Sequence, residues 1–494
     1  MLKMSEKKAI FFILTFILLY SCHNDTLYSV WRPHFPNAFY TRNDVELRIA
    51  AKKDTILIKN GKPAITAYSA IIKGEFLHVQ DTIVQYGHVW STTNPLPIIG
   101  DDTTLYSRYY NWPFDSIGIF TSRISLMPET PFWVRAYVIT SRGDTGYLPV
   151  SYTDTTIPPI NEWFITNDLG LLGRAEAAAF TFIDPSKGYK CGFVVGGRDN
   201  TGNFGDMWEY DPKTQTWTQQ PGELPLHLKN HVAFGITRRD NNGRLHYEIY
   251  AGTGENLDGT VKYNNFYKYS FIDGQWHAIT PFPSAVAGAV AFVINNRAFV
   301  GTGQNQNGTD VGYFFEFHPE LLDSSGAIVW KSVTEIGGDG EKYRRHNAVA
   351  FVINNTAFVG TGEKNVNGQT TYYNDLWLFI PPEKNSQALW IKRQNMPGNP
   401  RTGAVGFNIE DQGYVGLGYD GQNLLKDLYR YDPYTDKWYP IADYKIGPQY
   451  TGQIQRIKDA VGFGIENKGY VGTGYQGDTS AIVYSKEFWI YRPW

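Results

Sequence analysis

AVAFVINNRAFVGTG occupies residues 289–303, and AVAFVINNTAFVGTG occupies residues 348–362, with Arg297 changed to Thr356. Each copy reads as a hairpin: an apolar run, an Asn-Asn pair, a second apolar run and a glycine-ended close. Asn and Gly tolerate the positive φ that tight hairpins require. With Phe292 as the reference, the same frame recurs at Phe180, Phe234, Phe351, Phe407 and Phe463, in steps of 54, 58, 59, 56 and 56 residues. The turn varies, to Asp411-Gln-Gly413 or Asn467-Lys-Gly469. The close is Gly196-Gly197, Gly252-Thr-Gly254, Gly301-Thr-Gly303, Gly360-Thr-Gly362, Gly416-Leu-Gly418 or Gly472-Thr-Gly474.

Working outward, an aromatic strand follows each hairpin, as in Asp206-Met-Trp-Glu-Tyr210 and Asp427-Leu-Tyr-Arg-Tyr431. A fourth strand carries one tryptophan: Trp217, Trp276, Trp330, Trp390 or Trp438. Hairpin, double glycine, aromatic strand and Trp resemble the kelch repeat, and Tyr210-Asp-Pro212…Trp217 and Tyr431-Asp-Pro433…Trp438 match its closing segment. That resemblance implies β-propeller blades of four strands each. The last unit ends past its third strand, at Trp494. Trp163, however, lies 17 residues before Phe180, as Trp217 lies before Phe234 and Trp390 before Phe407. The spacing predicts that residues 161–166 supply the missing outer strand. The expected fold is all-β: an N-terminal β-sandwich, then a six-bladed propeller over 160–494, closed by that strand in the last blade. In such a ring the repeated phrase is scaffold, with small residues crowding the axis and aromatics filling the space between blades.

The N-terminal part reads differently. Lys3, Lys7 and Lys8 precede an apolar run from Ile10 to Leu19, too short to span a bilayer as a mature helix. Leu19-Tyr-Ser-Cys22 resembles the lipobox of bacterial lipoproteins. The resemblance implies a signal peptide over 1–21, lipidation at Cys22, a polar tether over 22–40, and a chain anchored to a bacterial outer membrane or cell surface. Residues 41–157 show short alternating runs between turn signals, the pattern of a β-sandwich. Leu126-Met-Pro-Glu-Thr-Pro-Phe-Trp-Val-Arg-Ala-Tyr137 resembles fibronectin type III-like modules of bacterial surface proteins, with Phe132 where the tyrosine of the corner would stand. Asp154-Thr-Thr-Ile-Pro-Pro159 reads as a stiff linker.

Composition excludes some functions. A net charge of −3 without a long basic run leaves no nucleic-acid footprint. Beyond Cys22 there is one cysteine, Cys191, so no internal disulfide can form; it reads as a small buried hydrophobe. His227-Leu-Lys-Asn-His231 lacks the glutamate of a metalloprotease helix, and no metal or cofactor is expected.

In an antiparallel blade the start of strand one and the end of strand two share a face. The lead-ins to strand one offer Arg174, Glu176, Lys229, Asn230, Arg345, His346, Asn347, Arg401, Lys458 and Asp459. The exits from strand two offer Arg198, Glu255, Gln304, Glu363, Tyr419 and Tyr475. These residues differ from blade to blade, as a ring serving an asymmetric ligand would. Arg binds carboxylates through paired bonds, and tyrosine stacks on sugar faces. The expectation is a non-enzymatic module binding a glycan or a partner protein. The alternative is a sugar-acting enzyme, since bacterial sialic-acid mutarotases resemble this chain in being exported kelch propellers. In that case Glu176, Glu255, Glu363 or His346 would move protons while Arg345 or Arg401 held a carboxylate.

Overall fold

The computed structural model describes residues 38–39, 46–49, 55–60, 64–65, 67–79, 82–100, 105–110, 118–148, 151–156, 160–239, 243–338, 341–383, 387–445, 456–476 and 482–494. The expected signal peptide, the expected lipidation site at Cys22 and most of the expected tether lie outside them. Two compact units divide the chain, Met1–Pro159 with Trp494, and Ile160–Pro493.

Among the described residues, the N-terminal unit holds two antiparallel sheets. In one, Ser69–Val79 pairs with Thr55–Asn60, Ala64–Ile65 and Ile119–Ser125; in the other, Pro131–Thr140 pairs with Ile83–Ser91, Thr145–Tyr147 and Tyr152–Thr155. Alternating residues of both sheets meet in two apolar clusters. Ile58, Phe76 and Phe120 face Ile83, Tyr86, Ala136 and Val138, while Ala70, Ile72 and Ile124 face Trp90, Phe132 and Val134. Alternation of this kind is what a strand with one buried face requires. Phe132 is fully buried. Among the buried polar side chains is His88, whose Nδ1 lies 2.6 Å from Ser122 Oγ and whose Nε2 lies 3.2 Å from Asn60 Oδ1. Burial pulls its pKa down to about 3.

Among the described residues, the second unit is built from six four-stranded antiparallel sheets. Their innermost strands are Ala178–Ile183, Val232–Arg239, Val290–Ile294, Val349–Ile353, Val405–Ile409 and Val461–Ile465, in blades 1 to 6. Each lies against the next, and the sixth lies against the first. Blade 6 takes its outer strand from Glu162–Ile165, which pairs with Phe488–Arg492. Its register repeats that of the other blades: Trp163 sits opposite Tyr491 as Trp217 sits opposite Tyr210 and Trp438 opposite Tyr431. Trp163 is fully buried, with Tyr444 and Tyr491 each 5.1 Å away between ring centroids. Its indole Nε1 donates to Ala442 O at 3.1 Å, just as Trp217 donates to Asn167 O and Trp438 to Gln394 O in the connection leaving the preceding blade.

The double glycine has a specific task. The second glycine of each close donates its N–H to a carbonyl six residues before the reference Phe of the next blade. The bonds are Gly197 to Leu228, Gly254 to Val286, Gly303 to Arg345, Gly362 to Arg401, Gly418 to Ile457 and Gly474 to Arg174, at 2.7–3.0 Å. The sixth returns to blade 1 and completes the circuit. These glycines adopt φ between +84° and +105°, a region that residues with a Cβ rarely enter. The expected turns at 411–413 and 467–469 fall earlier, at Glu410-Asp411 and Glu466-Asn467. Gly413 and Gly469 are strand residues instead. A Cβ there would overlap the reference Phe351 and Phe407 of the preceding blades, so these glycines serve packing rather than turning.

Three of the four arginines expected at the mouth are structural. Arg174, Arg345 and Arg401 are at most 2% exposed and stand six residues before the reference Phe in blades 1, 4 and 5. Each makes a two-pronged ion pair with the aspartate heading its blade's third strand, Asp206, Asp375 or Asp427, at 2.5–2.8 Å. Each also donates to a carbonyl of the glycine close, Gly196, Thr361 or Leu417. Their guanidinium groups are thus committed within the blade. Cys191 is buried in the core between blades 1 and 2, where burial pushes its thiol pKa up.

Candidate functional site

At the end where first strands begin and second strands exit, the six blades repeat a small backbone ladder. Each strand-two exit residue bridges to the residue five before the reference Phe: Arg198 to Ala175, Glu255 to Lys229, Gln304 to Ala287, Glu363 to His346, Tyr419 to Thr402 and Tyr475 to Lys458. On its other side it bridges to a residue returning from the loop, respectively Asn203, Lys262, Asp310, Tyr372, Leu424 and Tyr484. The next residue inward forms a collar: Glu176, Asn230, Gly288, Asn347, Gly403 and Asp459. All six have positive φ, from +50° to +66°. Backbone bonds run around it, from Asn230 N to Glu176 O, Gly288 N to Asn230 O, Asn347 N to Gly288 O, Asp459 N to Gly403 O and Glu176 N to Asp459 O, at 2.8–3.0 Å. Collar side chains lean over the preceding blade. A Cβ on Gly288 would overlap the Asn347 amide, and one on Gly403 would overlap the Asp459 carboxylate.

The ladder thus brings Glu176, Arg198, Glu255, Gln304, His346, Glu363, Tyr419 and Tyr475 to one end of the ring. Their chemistry divides into two arcs. Across blades 1 to 4 the charges are paired. Arg198 forks onto Glu176 at 2.8 and 2.9 Å. Lys229 Nζ lies 3.2 Å from both Glu176 and Glu255, and Lys262 lies 3.4 Å from Glu255. His346 bridges Asp310 at 2.6 Å and Glu363 at 3.3 Å. Burial opposes a charge on His346, but the hydrogen bonds it donates to Asp310 and Glu363 override it and lift the pKa to about 9. The imidazole is therefore a cation at neutral pH. Glu176 and Glu363 are also pushed up by burial, yet Arg198 and Lys229 hold the first, and His346 the second, below the ordinary carboxylate range.

From blade 4 round to blade 1 the second arc is aromatic and cationic. Tyr372 meets Tyr419 edge-on at 6.3 Å, and Tyr475 meets Tyr484 at 6.0 Å. Lys458 Nζ lies between these pairs, 5.4 Å from the Tyr419 ring and 4.9 Å from that of Tyr475. Arg198 donates to Tyr484 OH at 2.7 Å. Below Lys458 sits Asp459, 3.6 Å from the ammonium. Burial raises its pKa; the charges of Glu176 and Glu363 add to this against Lys458 and Arg198, and the value reaches about 6.

Lys262, Asp310, Tyr372 and Tyr484 did not emerge from the sequence. They stand on the return limbs of loops, 7, 6, 9 and 9 residues after their exit residues, so no fixed offset marks them. His227 and His231 do not combine: His227 is exposed near Asn203 O and Glu223, while His231 is buried at the seam beside Gly196, its pKa pulled down to about 4 by burial.

The kelch motif family matches residues 193–222 and 418–443. These fall on blades 1 and 5, the two blades with Tyr-Asp-Pro before the tryptophan, and the chain therefore carries kelch repeats. Curated relatives include N-acetylneuraminate epimerases of Yersinia pestis (strain Pestoides F) and Yersinia pseudotuberculosis serotype O:1b (strain IP 31758). Each is 31% identical over 103 residues, 19% of this chain and 24% of the relative. The chain thus spans about a quarter of the length of the curated relatives it matches. A solved structure titled "Structure of YjhT" aligns at 15% identity and a TM-score of 0.49, covering 66% of this chain and 96% of that one.

Proposed function

We propose that the end of the ring bearing the two arcs is a sugar-binding mouth, displayed by a lipid-anchored protein of the bacterial envelope. One observation carries this reading: the arc in which Lys458 lies between the Tyr419 and Tyr475 rings, flanked by Tyr372 and Tyr484. Tyrosine offers an apolar face to the C–H side of a sugar ring and a hydroxyl to its rim. An ammonium or guanidinium adds charge-assisted bonds to hydroxyl or carboxylate oxygens. The paired arc opposite presents fixed donors and acceptors already held in place, which lowers the ordering cost of binding. The lipobox at Cys22 supports the anchor, and the sandwich supports a spacer role. A glycan array comparing the protein with a Tyr475→Ala/Tyr484→Ala variant tests the reading. Selective signals that the variant loses are expected; equal, sugar-independent signals from both would favour a protein partner and end the sugar reading.

A second reading, mutarotation of a sugar hemiacetal, is favoured by Asp459, whose pKa of about 6 in the mouth suits proton transfer near neutral pH. The name of the curated relatives points the same way. The step removes the proton from the anomeric hydroxyl and delivers one to the ring oxygen as the ring C–O bond breaks. The free carbonyl then recloses from its other face. Interconversion of N-acetylneuraminate anomers followed by NMR is the check, and a rate no faster than buffer alone would remove this reading.

A further inference from the structure

We propose that the mouth takes up one proton as it takes up an anionic ligand, and that Asp459 is the group that receives it. The inference rests on the sugar-binding reading and adds its regulation. Three carboxylates converge under the aromatic arc, and they are not held alike. Glu176 accepts both prongs of Arg198 and is flanked by Lys229. Glu363 is held by His346 and by the Thr402 hydroxyl at 3.1 Å. Asp459 has its own neighbour Lys458, at 3.6 Å.

The surroundings of Asp459 are asymmetric. From blade 1, Glu176 repels its charge and Arg198 attracts it; from blade 4, Glu363 repels it. From blade 5 it meets Gly403, whose carbonyl accepts the Asp459 N–H at 2.9 Å and whose missing Cβ makes room for the carboxylate. Lys458, beside it in blade 6, is also the cation that faces the tyrosine rings. An anion seated on those rings therefore competes with Asp459 for one ammonium and adds a third like charge to those of Glu176 and Glu363. Like charges brought together favour the protonated form of the least-held carboxyl group. Burial already poises Asp459 near 6, so a modest further rise carries it past neutrality.

The sign follows from linkage. Below about pH 5 Asp459 is protonated with or without ligand, so affinity is at its maximum and flat. Above about 6 the free site must gain a proton to bind, and affinity falls by up to roughly tenfold per pH unit until the ligand-bound pKa is passed. The experiment is calorimetric titration of the full chain with N-acetylneuraminate and with glucuronate at pH 7, in phosphate and in Tris, whose ionisation heats differ. The expected result is a buffer-dependent heat corresponding to uptake of most of one proton. Asp459→Asn, which imitates the protonated carboxyl, should bind with no proton uptake and with affinity independent of pH between 6 and 8. Binding by the unaltered protein without proton uptake overturns the inference and leaves the sugar reading standing. No binding of either acid, or of any neutral sugar on the array, overturns both. The unaltered protein decides the matter even if the variant fails to fold.

Discussion

Replacing Trp163 by alanine tests whether the strand at 162–165 holds the ring closed. Burying an aromatic side chain removes about 150–250 Å² from water, which at about 25 cal/mol/Å² corresponds to roughly 4–6 kcal/mol. Measured truncations of buried Phe or Trp fall at about 3–5 kcal/mol, and leaving the Ala442 carbonyl without its indole donor adds about 1 kcal/mol. The expected loss is therefore about 4–6 kcal/mol, a large share of the roughly 5–15 kcal/mol that ordinarily stabilises a domain. Trp438→Ala on blade 5 is the matched control. It has the same register and the same type of indole bond, but a side chain that is only half-buried, so its loss should be about half as large. Urea unfolding followed by near-ultraviolet circular dichroism reads the difference as a shift in midpoint. If Trp163→Ala unfolds with the unaltered protein, or later than Trp438→Ala, the closing role of this strand is refuted.

Arg345→Met should destabilise the protein by about 3–5 kcal/mol, because it strands the buried Asp375. Arg345→Met/Asp375→Leu should recover most of that in thermal unfolding. In the N-terminal unit, the folded pKa of His88 lies near 3, below the 6.5 of the unfolded chain. Its contribution is therefore complete above 6.5 and shrinks as pH falls. Between pH 7 and 5 the loss should be about 2 kcal/mol, read as the part of the urea-midpoint shift that His88→Gln abolishes.

The scaffold was legible because it repeats. Six occurrences of one frame fixed strand order, and the 17-residue interval before Phe180 identified Trp163 as an outer-strand tryptophan although its partner Tyr491 lies at the far end of the unit. The same logic, applied further, would have removed three arginines from the mouth. Arg174, Arg345 and Arg401 share one offset from the reference Phe, and each of their blades opens its third strand after an aspartate. A position that repeats together with its counter-ion belongs to the blade. Lys262, Asp310, Tyr372 and Tyr484 posed the opposite problem. Glu363 and Tyr372 face each other because a hairpin of the blade 4 loop folds back on itself, and Tyr475 and Tyr484 meet in the same way in blade 6. Loops of unequal length erase the offsets on which alignment depends, so these neighbours became visible only through the backbone ladder. Asp459 could be read as a residue at the mouth, but its poise depends on Glu176 and Glu363 arriving from other blades.

Because the first strand of the ring is also its last-added edge, the propeller is fastened like a belt whose buckle is sewn to the strap. All chain N-terminal to residue 160 leads directly into the Trp163 strand, and Ile160 N donates to Pro493 O beside it. Tension arriving along the polypeptide from that side would reach this clasp before any other ladder of the ring.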